Sequence, residues 1–166
     1  MRPHKIFLDL EDTIITNWDE GTLINVAALR DHWSQMVVFP QTVSIFSFAI
    51  WSPGDKDHFE QQLKGPIERA LGVTIDEWMS VQEMQKIVEE WQGMQYTDVA
   101  DFLQMNGKHG AFEKVCLARE SNCTCTLFDD AVPHRSILDV SRDLVINLWP
   151  IQIVTGQPLL PVQRKL

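Results

Sequence analysis

Basic charge, cysteine and long apolar runs are all scarce in this chain. Fourteen Lys and Arg stand against 23 Asp and Glu, a formal net charge of −9. So few cations give no basic footprint for sequence-independent nucleic-acid binding, which leaves nucleic acid only as a substrate end, or as something the acidic chain mimics. No apolar stretch approaches the roughly 20 residues that span a bilayer, so no membrane partner is expected. Met1-Arg2-Pro3-His4-Lys5 starts positive, but Asp9 interrupts any apolar signal region at once, and export by a standard signal is not expected. The three cysteines, Cys116, Cys123 and Cys125, are few and odd in number, which fits free thiols in a reducing compartment and a cytoplasmic location. Cys123-Thr124-Cys125 lacks the two-residue spacer of a zinc knuckle and has no second Cys/His pair at a matching spacing. Its thiols read as structural.

What the chain does have is enough length, 166 residues at 45% hydrophobic, for one domain with a real core. It shows no internal repeat, linker or low-complexity segment. KIFLDL (5–10) is a compact apolar run and predicts a buried strand. Thr22 predicts the cap of a helix running to about Gln35. Val37-Val38-Phe39-Pro40 is a short apolar stretch closed by Pro40. Val43 to Trp51 (VSIFSFAIW) predicts a second strand, ending at Ser52-Pro53-Gly54. Helices are expected over 57–71, with a break near Gly65-Pro66, and over 75–92. In the second, Ile75, Trp78, Val81, Met84, Val88 and Trp91 form an apolar stripe that reads as core packing. A short helix over Thr97–Met105 is broken at Asn106-Gly107, and another follows from Gly110 to Glu120. TCTLF (124–128) predicts a third strand landing on Asp129-Asp130. A short helix near 134–141, a strand over Leu144–Leu148 and an irregular tail complete the reading. This alternation predicts an α/β fold with a mainly parallel sheet covered on both faces, a three-layer sandwich.

Two of these strands end in acids, FLDLED (7–12) and TLFDD (126–130), and a third ends on a hydroxyl at Ser52. In doubly wound sheets, ligands bind beyond the carboxyl ends of the strands. If these three strands are parallel neighbours, Asp9, Glu11, Ser52, Asp129 and Asp130 meet at one edge. Carboxylates so crowded repel one another unless a cation lies among them, and oxygen-only donors suit Mg²⁺. The competing reading makes the acids solvated strand ends and Ser52 an ordinary turn residue.

The order of these motifs resembles the haloacid dehalogenase (HAD) superfamily of phosphotransferases. Asp9-Leu10-Glu11-Asp12-Thr13 stands where that family has Asp-x-Asp-x-Thr after its first strand. IFSFAIWS, ending at Ser52, stands for its second motif. Lys108 in NGKHGAFEKV stands for its third, with Lys114 as the rival, and TLFDD stands for its fourth. The resemblance spans residues 5–130 and implies a Rossmann-like fold, a single HAD-like domain over 1–166 with a small helical lobe at 57–105. It also implies a Mg²⁺-dependent phosphatase. In that reading Asp9 is the nucleophile and Glu11 the general acid and base. Ser52 and Lys108 bind phosphate. The metal lies on Asp9, the Glu11 backbone carbonyl, Asp129 and Asp130.

The sequence departs from the family at Glu11, where Asp is usual; the longer arm shifts the proton-transfer geometry by about one methylene. No third strand is evident before Lys108. The intervals between Thr13 and Val43, and between Lys108 and Asp129, leave no room for a large cap, so a minimal member with an open site is expected. His109 and His134 flank the motifs and read either as pocket-lining or as incidental. Two alternatives stand beside the enzyme. One is a HAD-like binding or regulatory protein with weak or lost catalysis, because fold alone does not fix function; the other is an acidic mimic that occupies a nucleic-acid-binding partner. The phosphorylated substrate is not specified by the sequence.

Overall fold

Ile6, Phe7 and Leu8 are all buried, and their side chains go to two different cores. Ile6 and Leu8 point to one side of the chain and Phe7 to the other, as strand alternation requires. A strand with no polar face belongs in the middle of a sheet covered on both sides. The computed structural model places it there. It describes residues 3–35, 42–141, 143–151 and 162–164.

Among the described residues, seven strands form one sheet: β1 (His4–Leu8), β2 (Thr42–Ile45), β3 (Thr74–Trp78), β4 (Cys123–Asp129), β5 (Ser136–Ser141), β6 (Leu144–Pro150) and β7 (Val162–Arg164). Their spatial order is β3-β2-β1-β4-β6-β5-β7, parallel throughout except for the antiparallel pair β5–β6. One face is covered by α1 (Val26–Ser34) and by a helix running through α2 (Pro53–His58), a π-helical turn (Phe59–Leu63) and α3 (Lys64–Leu71). The other is covered by α4 (Val81–Gln92) and α5 (Val99–Arg119). The result is an α/β, Rossmann-like three-layer arrangement. From β1 the chain winds outward through β2 and β3, then returns to start β4 on the other side of β1. The winding therefore reverses between β1 and β4, the switch point at which such sheets leave a crevice. No helix among the described residues is long and apolar enough to cross a membrane.

Several expectations are corrected. The helix expected from Thr22 begins only at Val26, because residues 22–24 pair back on the segment after β1: Thr16 N donates to Thr22 O and Ile24 N to Ile14 O, both at 2.9 Å. The strand expected over 43–51 stops at Ile45. The break expected near Pro66 is absent. Pro66 has no N–H to return to Gln62, and the helix widens by one residue ahead of it, with Lys64 N reaching Phe59 O. The helix expected over 75–92 is a strand and a helix, β3 then α4, divided by the cap at Ser80. The missing third strand is thus present. The segment 57–105, expected as a lobe, is built into the layers as crossovers and β3. The helix expected near 134–141 is β5, and the irregular tail contributes β7. The stretch Val37–Pro40 and most of the tail lie outside the described residues.

Candidate functional site

β1 and β4 run side by side with Leu8 level with Phe128, and Asp9 N donates to Phe128 O at 3.0 Å. Pairing thus continues one residue past β1 and sets Asp9 beside Asp129 at the switch point. Both carboxyls are almost wholly buried, Asp9 at 3% and Asp129 at 0% exposure. Buried carboxylates are costly unless paired and hydrogen-bonded, so what surrounds them decides what the site is.

The chain after Asp9 closes a tight coil, in which Thr13 N (3.1 Å), Ile14 N (2.9 Å) and Ile15 N (3.1 Å) all reach Leu10 O. Leu10, Ile14 and Ile15 are buried and anchor the coil. The coil brings Thr13 back over the acids, and Asn25 Nδ2 fixes it by donating to the Thr13 carbonyl at 3.1 Å. Thr13 Oγ1 lies 3.0 Å from Asp9 Oδ2 and 3.2 Å from Asp130 Oδ1, and accepts from Asp130 N at 3.1 Å. A hydroxyl has one proton, so it serves one carboxylate at a time.

The cations come from α5, which breaks at Gly107, with φ 66° and ψ 178°, and restarts at Lys108. The restart delivers two adjacent side chains to the acids. Lys108 pairs with Asp9 Oδ1 and lies 3.3 Å from Asp129 Oδ2; His109 Nε2 lies 2.9 Å from that same oxygen. Ala131 N donates to the other Asp129 oxygen at 3.1 Å. Lys114, the rival of Lys108, is held by Asn106 Oδ1 at 2.5 Å.

Charge is unevenly shared. Burial pushes the Asp9 carboxyl up to about 7, the negative charge of Asp129 adds to this, and Lys108 and Thr13 work against it. Burial works on Asp129 too, but the His109 hydrogen bond, the Lys108 charge and the Ala131 N–H outweigh it and hold that group well below the usual carboxylate range. Asp130 is raised, by burial first and then by its neighbour Asp129. The cluster is short of positive charge. Carboxylate oxygens of Asp9, Asp129 and Asp130 lie within 4.8 Å of one another, a hard, all-oxygen donor set that fits Mg²⁺.

Of the residues expected from sequence, Asp9, Lys108, Asp129 and Asp130 are brought together. The Glu11 carboxylate is not among the gathered acids; it accepts from Trp18 N at 2.9 Å, on the hairpin that follows the coil. Ser52 is the N-cap of α2, in a reciprocal capping box with Asp55. His134 is exposed on the turn before β5.

Sequence reasoning gave no role to Thr13 or Ser47 and left His109 between pocket-lining and incidental. Thr13 was visible as the last residue of the first motif. Ser47 is the first hydroxyl after β2: Phe46 N donates to Leu8 O at 3.0 Å, which sets Phe46 level with Asp9 and the buried Ser47 just beyond. His109 had only its adjacency to Lys108 as a signal. No protein-family model, no curated protein and no solved structure matches this chain.

Proposed function

We propose that this protein is a Mg²⁺-dependent phosphatase of HAD-like type, a hydrolase of phosphomonoesters that works through an aspartyl-phosphate on Asp9. The observation that carries the reading is the convergence of Asp9, Asp129, Asp130, Thr13 and Lys108 at the switch point of a parallel sheet. Mg²⁺, held by Asp9, Asp129, Asp130 and the Glu11 carbonyl, would supply the positive charge that lets nucleophile and phosphate approach.

Asp9 attacks phosphorus in line, forming a P–O bond while the ester P–O bond breaks and Glu11 gives the leaving oxygen its proton. A water then attacks the same phosphorus and the acyl-phosphate P–O bond breaks. Glu11 takes the water's proton and Asp9 is restored; the sum is ester plus water to alcohol plus phosphate. Lys108 offsets the phosphate charge as a point cation, and His109 keeps Asp129 ionised. We assign the phosphate-orienting hydroxyl to Ser47, in place of Ser52. Free thiols at all three cysteines support a reducing, cytoplasmic setting.

One observation favours the slower alternative, a HAD-like binding or regulatory protein. It is the hydrogen bond from Trp18 N that holds the Glu11 carboxylate on the hairpin. The test is hydrolysis of an aryl phosphate and a panel of natural phosphomonoesters, with and without Mg²⁺, by wild type and Asp9→Asn. Metal-dependent turnover that falls to background in the variant is expected. Turnover untouched by Asp9→Asn sinks the aspartyl-phosphate route. If no phosphate turns over while Mg²⁺ still raises the melting temperature, the regulatory reading takes its place.

A further inference from the structure

Sulfur gathers at the amino end of β4, the opposite end of that strand from Asp129. Cys123 and Cys125 lie two residues apart on β4, so both side chains face the core that α5 covers. α5 ends at Arg119, Glu120 caps it, and Asn122, with φ 53°, turns the chain directly into β4. This short return lays Cys116 and Glu120, from the end of the helix, against the start of the strand. Cys123 Sγ and Cys125 Sγ are 3.7 Å apart, and Cys123 Sγ is 3.9 Å from Glu120 Oε2. Cys116, one turn before the end of α5, is buried in the same core. All three cysteines are free and buried, and ligand atoms of Glu120, Cys123 and Cys125 lie within 4.8 Å of one another.

The spacing of the two sulfurs is informative. Thiolates bound to one tetrahedral zinc, each at about 2.3 Å, sit about 3.8 Å apart, so this pair needs almost no movement to share an ion. The Glu120 carboxylate is a third donor beside them, and Cys116, buried in the same core, is the fourth candidate for a closed tetrahedral site. Spacing along the chain hides the group, because Cys-x-Cys is paired here with residues from the preceding helix.

We propose that Cys116, Glu120, Cys123 and Cys125 form a second metal site, for a thiophilic divalent cation of the Zn²⁺ class. Sulfur donors select against Mg²⁺, so the two sites take different ions. Lys5 Nζ lies 2.5 Å from Glu120 Oε2, with its side chain 52% exposed. It balances part of the site's negative charge and marks the way in from solvent. As sulfur–metal bonds form, the thiol protons pass to solvent. The six steps along β4 from Cys123 to Asp129 put the site about 20 Å from the acid cluster. Its consequence is structural: the ion ties the end of α5 to the start of β4.

The experiment is a titration of the full chain, reduced with a thiol-free reductant and stripped with chelator, using Cd²⁺ and reading the ultraviolet metal–thiolate band. The expected result is a band that saturates at one ion per chain, persists in Asp9→Asn and disappears in the double variant Cys123→Ser, Cys125→Ser. Zn²⁺ should compete the band away and raise the melting temperature of the wild type. Absence of a saturating band at stoichiometric Cd²⁺ overturns the proposal, and so does a band that survives in the double variant or is lost in Asp9→Asn. The wild-type titration reads the site directly, so the test holds even if the double variant fails to fold. It is also independent of phosphatase activity.

Discussion

Two serines five residues apart have opposite surroundings, and they separate chemistry from architecture. Ser47 is buried beside the carboxyl end of β1, and its Oγ accepts from Ala49 N at 3.1 Å. Its own proton can point to a ligand. Ser52 exchanges hydrogen bonds with Asp55 and starts α2. Ser47→Ala is therefore expected to lower turnover by roughly 10²-fold, the effect of removing one preorganised donor, with little change in melting temperature. Ser52→Ala is expected to cost about 1 kcal/mol of stability as a lost cap and to leave turnover nearly intact. Denaturant unfolding and steady-state kinetics on the two variants check this. The reverse pattern would return the phosphate hydroxyl to Ser52.

Among the elements, what was legible in the sequence divides along a physical line. β1, β4 and β6 are interior strands covered on both faces, and they read as largely apolar runs. β3 is an edge strand, TIDEW, in which only Ile75 is well buried. Ile75 and Trp78 lie three apart and continue in step with Val81 and Met84, so strand and helix together imitate a single amphipathic helix. The signal that divides them was present, since Ser80 and Glu83 form a capping box, as Ser52 and Asp55 do. β5 was misread because Ile137, Leu138 and Val140 fit either period over so short a span. The acid pair and Lys108 were legible because strand ends and cations announce themselves. Thr13 was visible only as the end of the first motif and Ser47 not at all, because the coil and the early end of β2 are set by tertiary pairing.

The break in α5 yields its own prediction at this scale. Gly107 adopts φ 66° and ψ 178°, a region open in practice only to glycine, although an added Cβ would meet nothing within 4 Å. Gly107→Ala should then cost about 1–3 kcal/mol through backbone strain alone. By re-aiming Lys108 it should also lower turnover. Gly93, the left-handed C-cap of α4, supplies the control, since nothing lies within 4 Å of its added Cβ either. Gly93→Ala should lose stability and keep turnover. Equal turnover in the two variants would show that the break does not position Lys108.

At the scale of the whole molecule, two histidines, His4 largely exposed and His32 half-buried, join parts that are distant in sequence. Trp149 Nε1 on β6 donates to His32 Nδ1 on α1 at 3.0 Å. His4 Nε2 on β1 lies 2.6 Å from Thr126 Oγ1 on β4. Thr126 Oγ1 also accepts from Asn147 Nδ2 at 3.3 Å. Partial desolvation lowers the pKa of both histidines from the ordinary 6.5; for His4 the charge of Arg135 adds to this, and for His32 Asp31 opposes it. The unfolded chain therefore binds more protons than the folded one just below that value. The stability these rings contribute is fully present above pH 6.5 and is lost as pH falls through their lowered folded values. Asp9 acts in the opposite sense. Its raised pKa favours the folded state as pH falls, so the wild-type profile alone mixes the two effects. The difference between proteins separates them. His4→Gln with His32→Asn keeps an acceptor near each ring nitrogen and removes the titration, while Asp9 is common to both chains. Unfolding free energies measured from about pH 7.5 to 5.5, the span of an ordinary histidine titration, should fall less in the double variant than in the wild type. Parallel profiles would mean that these rings bind a proton as readily folded as unfolded, and that the joints between α1 and β6 and between β1 and β4 do not depend on their neutrality.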